Sequence, residues 1–293
     1  MTHSETIEIL PVSLLDENRA TVKSLKRLGR ALGLDFGWHY LLDLTWIIQH
    51  LGPPKGKRIM DAGAGTGVIQ WYLADNGADV LSVDRESRAA LPLRFRKRFN
   101  VTGLRPQDLL PASQALKLSL TKAGHPLLKI AAQRRDLFSF VQWQRATGRV
   151  TIYHQDLRTL TDIPDNSLDV IVAVSSLEHN SPPDLERVVD ELLRVLKPGG
   201  LLLATLAAAP DKDWFHEPSK GWCYSEASLR RCFKLSPQVP SNYHRYPELF
   251  NTLANCAELR DNLAAFYFRS GDNGMPWGKW DPQYQPVGVC KVK

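Results

Sequence analysis

The chain has 293 residues, of which 43% are apolar and 23% are charged, and its net charge is +6. These ordinary globular values exclude a wholly disordered protein, and no apolar run reaches the ~20 residues that a membrane span needs. The N-terminus lacks the basic-then-apolar order of a secretory signal. Four scattered cysteines without a C-x-x-C pair argue against a disulfide framework and a zinc site. The sequence therefore predicts a cytoplasmic protein without a metal.

The first half of the chain predicts helices followed by two strands that flank a glycine-rich turn. Residues 1–54 are expected to form an N-terminal helical segment, because apolar residues recur at helical spacing until Gly52-Pro53-Pro54. A strand then runs from Arg58 to Asp61, and Ala62–Gly67 forms the turn. A helix over 68–76 and a second strand over Val80–Asp84 follow. The main domain is expected over 55–293.

The next clear strand, Val150–His154, comes too late for one crossover helix, which predicts a helical insertion at about 88–149, including a helix over 127–147. That segment holds thirteen Lys or Arg residues and only two acids. Such asymmetry indicates a surface for an anionic partner, such as a phosphorylated substrate, a lipid headgroup at a membrane surface or nucleic acid. A solvated basic face is the plain alternative.

The pattern of alternating strand and helix resumes after the insertion. Leu168–Val174 predicts a strand, 185–196 a helix, Lys197–Gly200 a turn and Leu201–Leu206 a strand, with later strands near 264–269 and 287–293. This order is typical of an α/β fold with a doubly wound, mostly parallel sheet of the seven-stranded, Rossmann-like type.

The glycine-rich turn completes a D-x-G-x-G-x-G pattern from Asp61 to Gly67, and Asp84 follows 17 residues later. Glycines let a ligand lie against bare backbone, and an acid at the end of the second strand can accept both ribose hydroxyls. The sequence does not match the dinucleotide-binding pattern G-x-G-x-x-G, because Val68 and Gln70 occupy the two positions where its third glycine could fall. Asp61 would repel a pyrophosphate, whereas a ligand with a cationic amino-acid tail would favour it.

The chain resembles the class I S-adenosylmethionine-dependent methyltransferases through five motifs in order. The first two are Asp61–Gly67 and Val80–Asp84. The others are His154–Leu157, Asp169–Asn180 and Arg194–Leu206. The resemblance implies S-adenosylmethionine as cofactor and S-adenosylhomocysteine as product. It places Asp61 near the ammonium, Asp84 on the ribose and Asp156 on the adenine. The full cofactor-binding set that it implies is Asp61, Gly63, Ala64, Gly65, Gly67, Asp84, Arg85, Asp156, Leu157 and Ser175.

Three residues are candidates for the base that would take a proton from the methyl acceptor. His179 is the first candidate and Glu178 the second, because they follow the strand over 168–174, where ligands collect in parallel sheets. His216 is the rival, in a loop after the strand over 201–206. His179 and Glu178 could instead only hold their loop in place, and the loop of His216 could be an ordinary surface loop anchored by Trp214 and Phe215.

We expect methyl transfer to a small-molecule or glycan- or lipid-linked acceptor, on oxygen rather than nitrogen. The sequence of residues 37–43 is similar to a segment of methyltransferases that are encoded near bacterial surface-glycan genes. One alternative is an RNA methyltransferase that uses the basic insertion, and another is a non-catalytic cofactor-binding scaffold. Ser175–Glu178 stands where enzymes that methylate a planar base amine carry an N-P-P-Y tetrad, which argues against that reaction.

Overall fold

The computed structural model describes residues 4–122, 145–264, 275 and 278–293, and within them ten strands form one sheet. In chain order the strands are β1 Thr6–Ile9, β2 Arg58–Ala62, β3 Asp79–Asp84, β4 Val101–Gly103, β5 Arg149–His154, β6 Leu168–Val174, β7 Leu196–Ala208, β8 Trp214–His216, β9 Gly221–Tyr224 and β10 Gln285–Val292. The spatial order is β1-β10-β7-β6-β2-β3-β5-β4, and β9 pairs with both β7 and β8.

The pairs from β4 through β5, β3, β2 and β6 to β7 are all parallel, whereas β10 lies antiparallel between β7 and β1. The helices are α1 Ser13–Glu17, α2 Arg19–Leu32, α3 Tyr40–Leu51, α4 Ile69–Asp75, α5 Leu93–Arg98, α6 Ala112–Lys122, α7 Pro182–Val195, α8 Glu226–Cys232, α9 Tyr246–Ala254 and α10 Ala257–Asp261. None of these helices has the length and apolarity to span a membrane.

Helices cover both faces of the sheet, as the apolar strands require. Successive residues of β2 point to opposite faces: Ile59 belongs to the core under α2, α3 and α4, and Met60 to the core under α7, α8 and α9. The predicted doubly wound, mostly parallel α/β sheet is therefore confirmed. α7 shows the sequence signals of its start, because Ser181 accepts the N–H of Asp184 and Pro182 takes the first helical position.

The N-terminal segment is mainly helical, but it begins with a strand that the sequence analysis missed. β1 pairs with β10, and its side chains alternate between half-buried and fully buried, with Ile7 and Ile9 wholly inside. Helix α3 then packs on the sheet through Trp46, and Gly288 of β10 leaves room for the indole, which a Cβ would approach to 2.5 Å. Residues 4–54 thus share the core of the main sheet.

The turn expected over Lys197–Gly200 interrupts a strand rather than preceding one. Leu196 pairs with Leu168, and Leu201 pairs with Val170, so four residues of β7 bulge out between the two pairs. Gly199 supports the bulge with a positive φ of 75°.

The helical insertion expected at about 88–149 stays a prediction, and its described residues, 88–122 and 145–149, are helical only in part. The segment contains α5 and α6, but β4 pairs in parallel with β5 and so extends the main sheet. Most of the helix expected over 127–147 lies outside the described residues, as do Lys129, Arg134 and Arg135. The described residues 145–147 are not helical.

Basic residues in the described part of this segment bind the protein's own backbone and carboxylates. The Arg96 guanidinium donates to the carbonyls of Leu91 at 2.7 Å and Ala89 at 2.9 Å, and also to that of Leu110. Arg98 pairs with Asp75, and Arg149 pairs with Asp79 at 2.6 Å. These contacts give the arginines a structural role and do not support an anion-binding face there.

Candidate active site

All ten residues of the predicted cofactor-binding set line one cavity of about 450 Å³. The cavity lies at the carboxyl ends of β2, β3, β5 and β6, where ligands bind in parallel α/β sheets. The chain contributes the glycine loop 63–67, the acids Asp61, Asp84 and Asp156, the neighbours Arg85 and Leu157, and Ser175. Their common position makes joint binding of one ligand feasible, and their individual roles stay predictions.

Backbone geometry explains the first glycine of the loop. Gly63 has a φ of +74°, and a Cβ on it would come within 2.5 Å of the Ser176 Cβ. Ser176 is held in place because its hydroxyl donates to the Ala62 carbonyl at 2.8 Å. The loop and the end of β6 therefore touch directly, and only glycine fits between them.

Asp84 shapes the loop as well as facing the cavity. Its carboxylate accepts the Gly65 N–H at 2.7 Å on one oxygen and the Glu86 N–H at 2.7 Å on the other. A carboxylate has about four acceptor positions, so these bonds leave capacity for ribose hydroxyls.

Asp61 is a buried carboxylate with an unpaired oxygen. Its side chain is 1% exposed, and Oδ2 has no hydrogen-bond partner among the described residues. Burial raises the pKa of Asp61 to about 7, the nearby Arg88 charge opposes this shift, and Asp84 adds to it. An unpaired buried carboxylate oxygen at the cavity wall fits a ligand that brings a positive charge.

A buried arginine beneath the loop was missed by the sequence analysis. Arg88 donates to the Ser82 carbonyl at 2.7 Å and to the Ser82 hydroxyl, and that hydroxyl also lies 2.6 Å from Gln70 Oε1. Gln70 in turn donates to the Gly67 carbonyl at 3.1 Å. Arg88 was counted with the basic segment, whereas it stabilises the loop and partly offsets the charges of Asp61 and Asp84. The polar Ser82 and Gln70 between apolar neighbours were the available signal.

At the other end of the cavity, Asp156 already has a partner. Arg158 binds its two oxygens at 3.0 and 2.8 Å and holds the pKa of Asp156 below its usual range. Both side chains are partly exposed and line the cavity. An adenine amino group would therefore share Asp156 with Arg158, which the sequence analysis did not foresee.

A second cavity of about 420 Å³ adjoins the first, and the two share Asp35, Tyr40, Thr66, Ser175 and His179 as walls. Glu178 is buried in its wall, where it accepts a hydrogen bond from the Ser175 hydroxyl, and burial raises the pKa of Glu178. His179 is exposed, and its Nδ1 lies 3.0 Å from the Lys220 carbonyl. Both candidates from the sequence thus face the site.

His216 does not line either cavity. It is buried behind Ser219, whose hydroxyl lies 2.8 Å from His216 Nδ1, and burial lowers the pKa of His216. In its place the structure brings His39 to the second cavity, with Asp43 2.7 Å behind it. The i,i+4 spacing of this pair at the start of α3 was the signal in the sequence, but it needed the fold to show where the pair points.

Comparison with known proteins finds similarity to a methyltransferase family model and to curated proteins of two kinds. A family model described as a methyltransferase domain matches residues 112–204. The ubiquinone biosynthesis O-methyltransferase of Acinetobacter baylyi is 44% identical over 206 residues, which are 70% of this chain and 63% of that protein. A tRNA U34 carboxymethyltransferase of Saccharophagus degradans is 33% identical over 81 residues, which are 27% of this chain and 24% of that protein.

Among solved structures, that of the [4+2]-cyclase SpnF aligns with a TM-score of 0.47 and 18% identity, covering 98% of this chain and 99% of that one. The chain spans less than two thirds of the length of the first curated relatives it matches. The methyltransferase-domain match and the 44% identity, together with this sheet and its glycine-loop cavity, support a class I S-adenosylmethionine-dependent methyltransferase.

Proposed function

We propose that the protein transfers a methyl group from S-adenosylmethionine to a hydroxyl oxygen of a small-molecule acceptor, a class that includes glycan- and lipid-linked alcohols. The observation that carries this proposal is the unpaired, buried Asp61 carboxylate at the glycine loop. It suits a ligand with an ammonium group and disfavours a pyrophosphate. The bound cofactor supplies a methyl group already activated on a positively charged sulfur.

The residues of the first cavity would bind the cofactor from end to end. Asp61 would face the ammonium, the glycine loop the rest of the methionine part, Asp84 the ribose, and Asp156 with Leu157 the adenine. Ser175, on the wall shared by both cavities, would then lie near the sulfonium. In this orientation the methyl group would face the second cavity, which would hold the acceptor and exclude water from it.

Oxygen is favoured over nitrogen because the relative with 44% identity is named as an O-methyltransferase. RNA as acceptor has less support, since the match to the tRNA-directed relative covers 27% of this chain. Arg96, Arg98 and Arg149, which suggested a nucleic-acid or membrane surface, are bound within the fold. A purely structural role for the chain is disfavoured, because a scaffold would not need the complete set around the cavity.

Calorimetry with S-adenosylhomocysteine tests the cofactor site. Replacing Asp84 by Asn removes the charge and one of the acceptor oxygens, so we expect affinity to fall at least tenfold, about 1.4 kcal/mol. Asp79→Asn is the matched control: it lies on the same strand, pairs with Arg149 and does not line the cavity. Equal affinity of the Asp84 variant and the wild type would remove Asp84 from the ribose role.

Turnover with labelled S-adenosylmethionine tests the reaction. A panel of phenols, glycosides, lipid-linked alcohols, amines and tRNA would be offered to the wild type, and we expect label on the hydroxyl compounds. Label confined to amines or to tRNA would contradict the proposal, as would wild-type protein that binds no S-adenosylhomocysteine.

A further inference from the structure

A buried histidine–aspartate pair stands in the wall of the second cavity. His39 precedes α3 and Asp43 lies in its first turn, and their side chains are 3% and 0% exposed. His39 Nδ1 is 2.7 Å from Asp43 Oδ2. The rings of Trp38, Tyr40 and Tyr284 surround the imidazole, with centroids 4.5, 5.6 and 5.7 Å away. The imidazole is therefore fixed in one orientation.

The hydrogen bond to Asp43 decides which nitrogen can act on a ligand. A carboxylate only accepts, so Nδ1 carries a proton and donates it, and in the neutral ring Nε2 is left as the basic nitrogen. Across residues 4–122, 145–264, 275 and 278–293, no group hydrogen-bonds to Nε2. Because His39 lines the second cavity, a ligand there is the available partner for Nε2.

The chemistry of the second cavity selects the kind of acceptor. Its described walls carry the carboxylates of Asp35 and Glu178 and the aromatic rings of Trp38, Tyr40 and Tyr284, but no Lys or Arg. Carboxylates accept hydrogen bonds from hydroxyls and repel anions, and aromatic rings provide flat apolar walls. The cavity thus favours a neutral, hydroxylated acceptor over the anionic one that the basic segment suggested.

We infer that the second cavity receives the hydroxyl of a neutral acceptor and that His39, oriented by Asp43, is the base that takes its proton. This inference rests on the proposed function. The acceptor O–H bond breaks and its proton goes to His39 Nε2, while the oxygen electron pair forms the bond to the methyl carbon. The carbon–sulfur bond breaks, and its electron pair stays on sulfur, which becomes neutral. The positive charge thereby passes from sulfur to the imidazolium beside Asp43.

The charges around His39 set the direction of its pH dependence. Burial disfavours the protonated ring, but the Asp43 carboxylate and its hydrogen bond outweigh burial and raise the pKa of His39 above 6.5, with a smaller contribution from Glu178. The other titratable groups in the same cavity wall are Asp35, His179, Tyr40 and Tyr284. Since the base must be unprotonated to act, turnover should rise with pH through the pKa of His39.

The first arm of the test needs no acceptor. Long-range ¹H–¹⁵N spectra of the wild type saturated with S-adenosylhomocysteine would follow the ring of His39, assigned by its loss in His39→Asn. We expect the Nδ1–H tautomer, a titration midpoint above 6.5, and a lower midpoint in Asp43→Asn. The Nε2–H tautomer, or a midpoint that Asp43→Asn leaves unchanged, would overturn the inference.

The second arm uses the hydroxyl compound with the highest turnover in the panel above. His39→Asn keeps a donor for Asp43 but removes Nε2, so kcat should fall at least about 100-fold. His50→Asn, in the last turn of α3 and outside both cavities, should keep wild-type turnover. Asp43→Asn should move the rising limb of the pH profile to lower pH, which a merely structural role would not do.

Cofactor binding separates the two proposals. S-adenosylhomocysteine should bind His39→Asn and wild type with affinities within about twofold of each other. Binding together with wild-type turnover in His39→Asn would refute the inference about His39 and leave the proposed function standing. Absence of binding or of turnover in the wild type would refute the proposed function itself, and the tautomer and midpoint of His39 would still decide whether it is a poised base.

Discussion

The Asp61 carboxylate is buried away from water, and its charged form therefore destabilises the folded protein. Burial and Asp84 raise its pKa from 3.8 to about 7 despite the charge of Arg88, which corresponds to about 4 kcal/mol between the two protonation states. The folded protein therefore keeps a proton on Asp61 that the unfolded chain has already lost. Stability without ligand should fall as the pH rises from about 4 to about 7.

Asp61→Asn should remove this pH dependence. It should also stabilise the ligand-free protein and weaken ligand binding. At pH 8 the ligand-free variant should unfold at a higher temperature than the wild type, because no charge is buried. Wild-type affinity for S-adenosylhomocysteine should drop about tenfold from pH 8 to pH 6 as Asp61 takes up a proton. Thermal unfolding and calorimetry at both pH values measure this, and a variant with the wild-type pH profile would rule out Asp61 as the ammonium partner.

Only some residues of the two cavities could be predicted from the sequence. The cofactor-binding set could be found because Asp61, the glycines and Asp84 lie in local patterns at strand ends, and the fold brings all of them to one cavity. Arg88 and His39 had local signals, but only the fold shows that Arg88 contacts Ser82 and that His39 lines the second cavity. The role of His216 stays a prediction: its neighbour Ser219 lines the second cavity, but its own ring lies behind that wall.

At the scale of elements, the connection from β2 to α4 depends on a contact with Ser176, just after β6. Gly63 combines a positive φ with the close approach of Ser176, whereas Gly56 has a similar φ of +75° and a Cβ on it would have nothing within 4 Å. Substitutions at Gly63 and Gly56 can therefore distinguish the effect of backbone strain from that of steric contact.

Gly63→Ala should destabilise the protein more than Gly56→Ala. Each variant meets a left-handed backbone cost of about 1–2 kcal/mol, but only Gly63→Ala must also push Ser176 aside, which adds about 1–3 kcal/mol. Urea unfolding of both variants gives the difference, and calorimetry should show weaker S-adenosylhomocysteine binding only for Gly63→Ala. Equal losses of stability would mean that the loop yields to the methyl group without cost.

Element lengths explain which strands the sequence revealed. β2, β3, β5 and β6 are apolar runs of five to seven residues and were predicted to within about one residue. β1 and β4 have four and three residues, too few for an alternation to stand out from the helical pattern around them. Both lie at the edges of the sheet, where short strands are common.

At the scale of the whole molecule, the N-terminal segment adds the edge strand β1 to the sheet and contributes His39 to the wall of the second cavity. β1 covers the free edge of β10, and Lys291 of β10 pairs with Glu5 at 2.6 Å. Glu8 accepts the indole N–H of Trp46 at 2.7 Å, which links β1 to α3. Because His39 directly precedes α3, the edge strand β1 also supports the wall of the second cavity.

Deleting residues 1–10 should therefore lower the stability of the fold. Ile7 and Ile9 are fully buried, and each such side chain contributes about 1.5–3 kcal/mol, so the free energy of unfolding should fall by about 3–6 kcal/mol. The bared edge of β10 should also favour association between molecules. Urea unfolding and light scattering, with deletion of residues 1–3 as the control, measure both effects. Equal unfolding midpoints for the two deletions would show that β10 is stable as an open edge and that α3 is held by the helices and the sheet face alone.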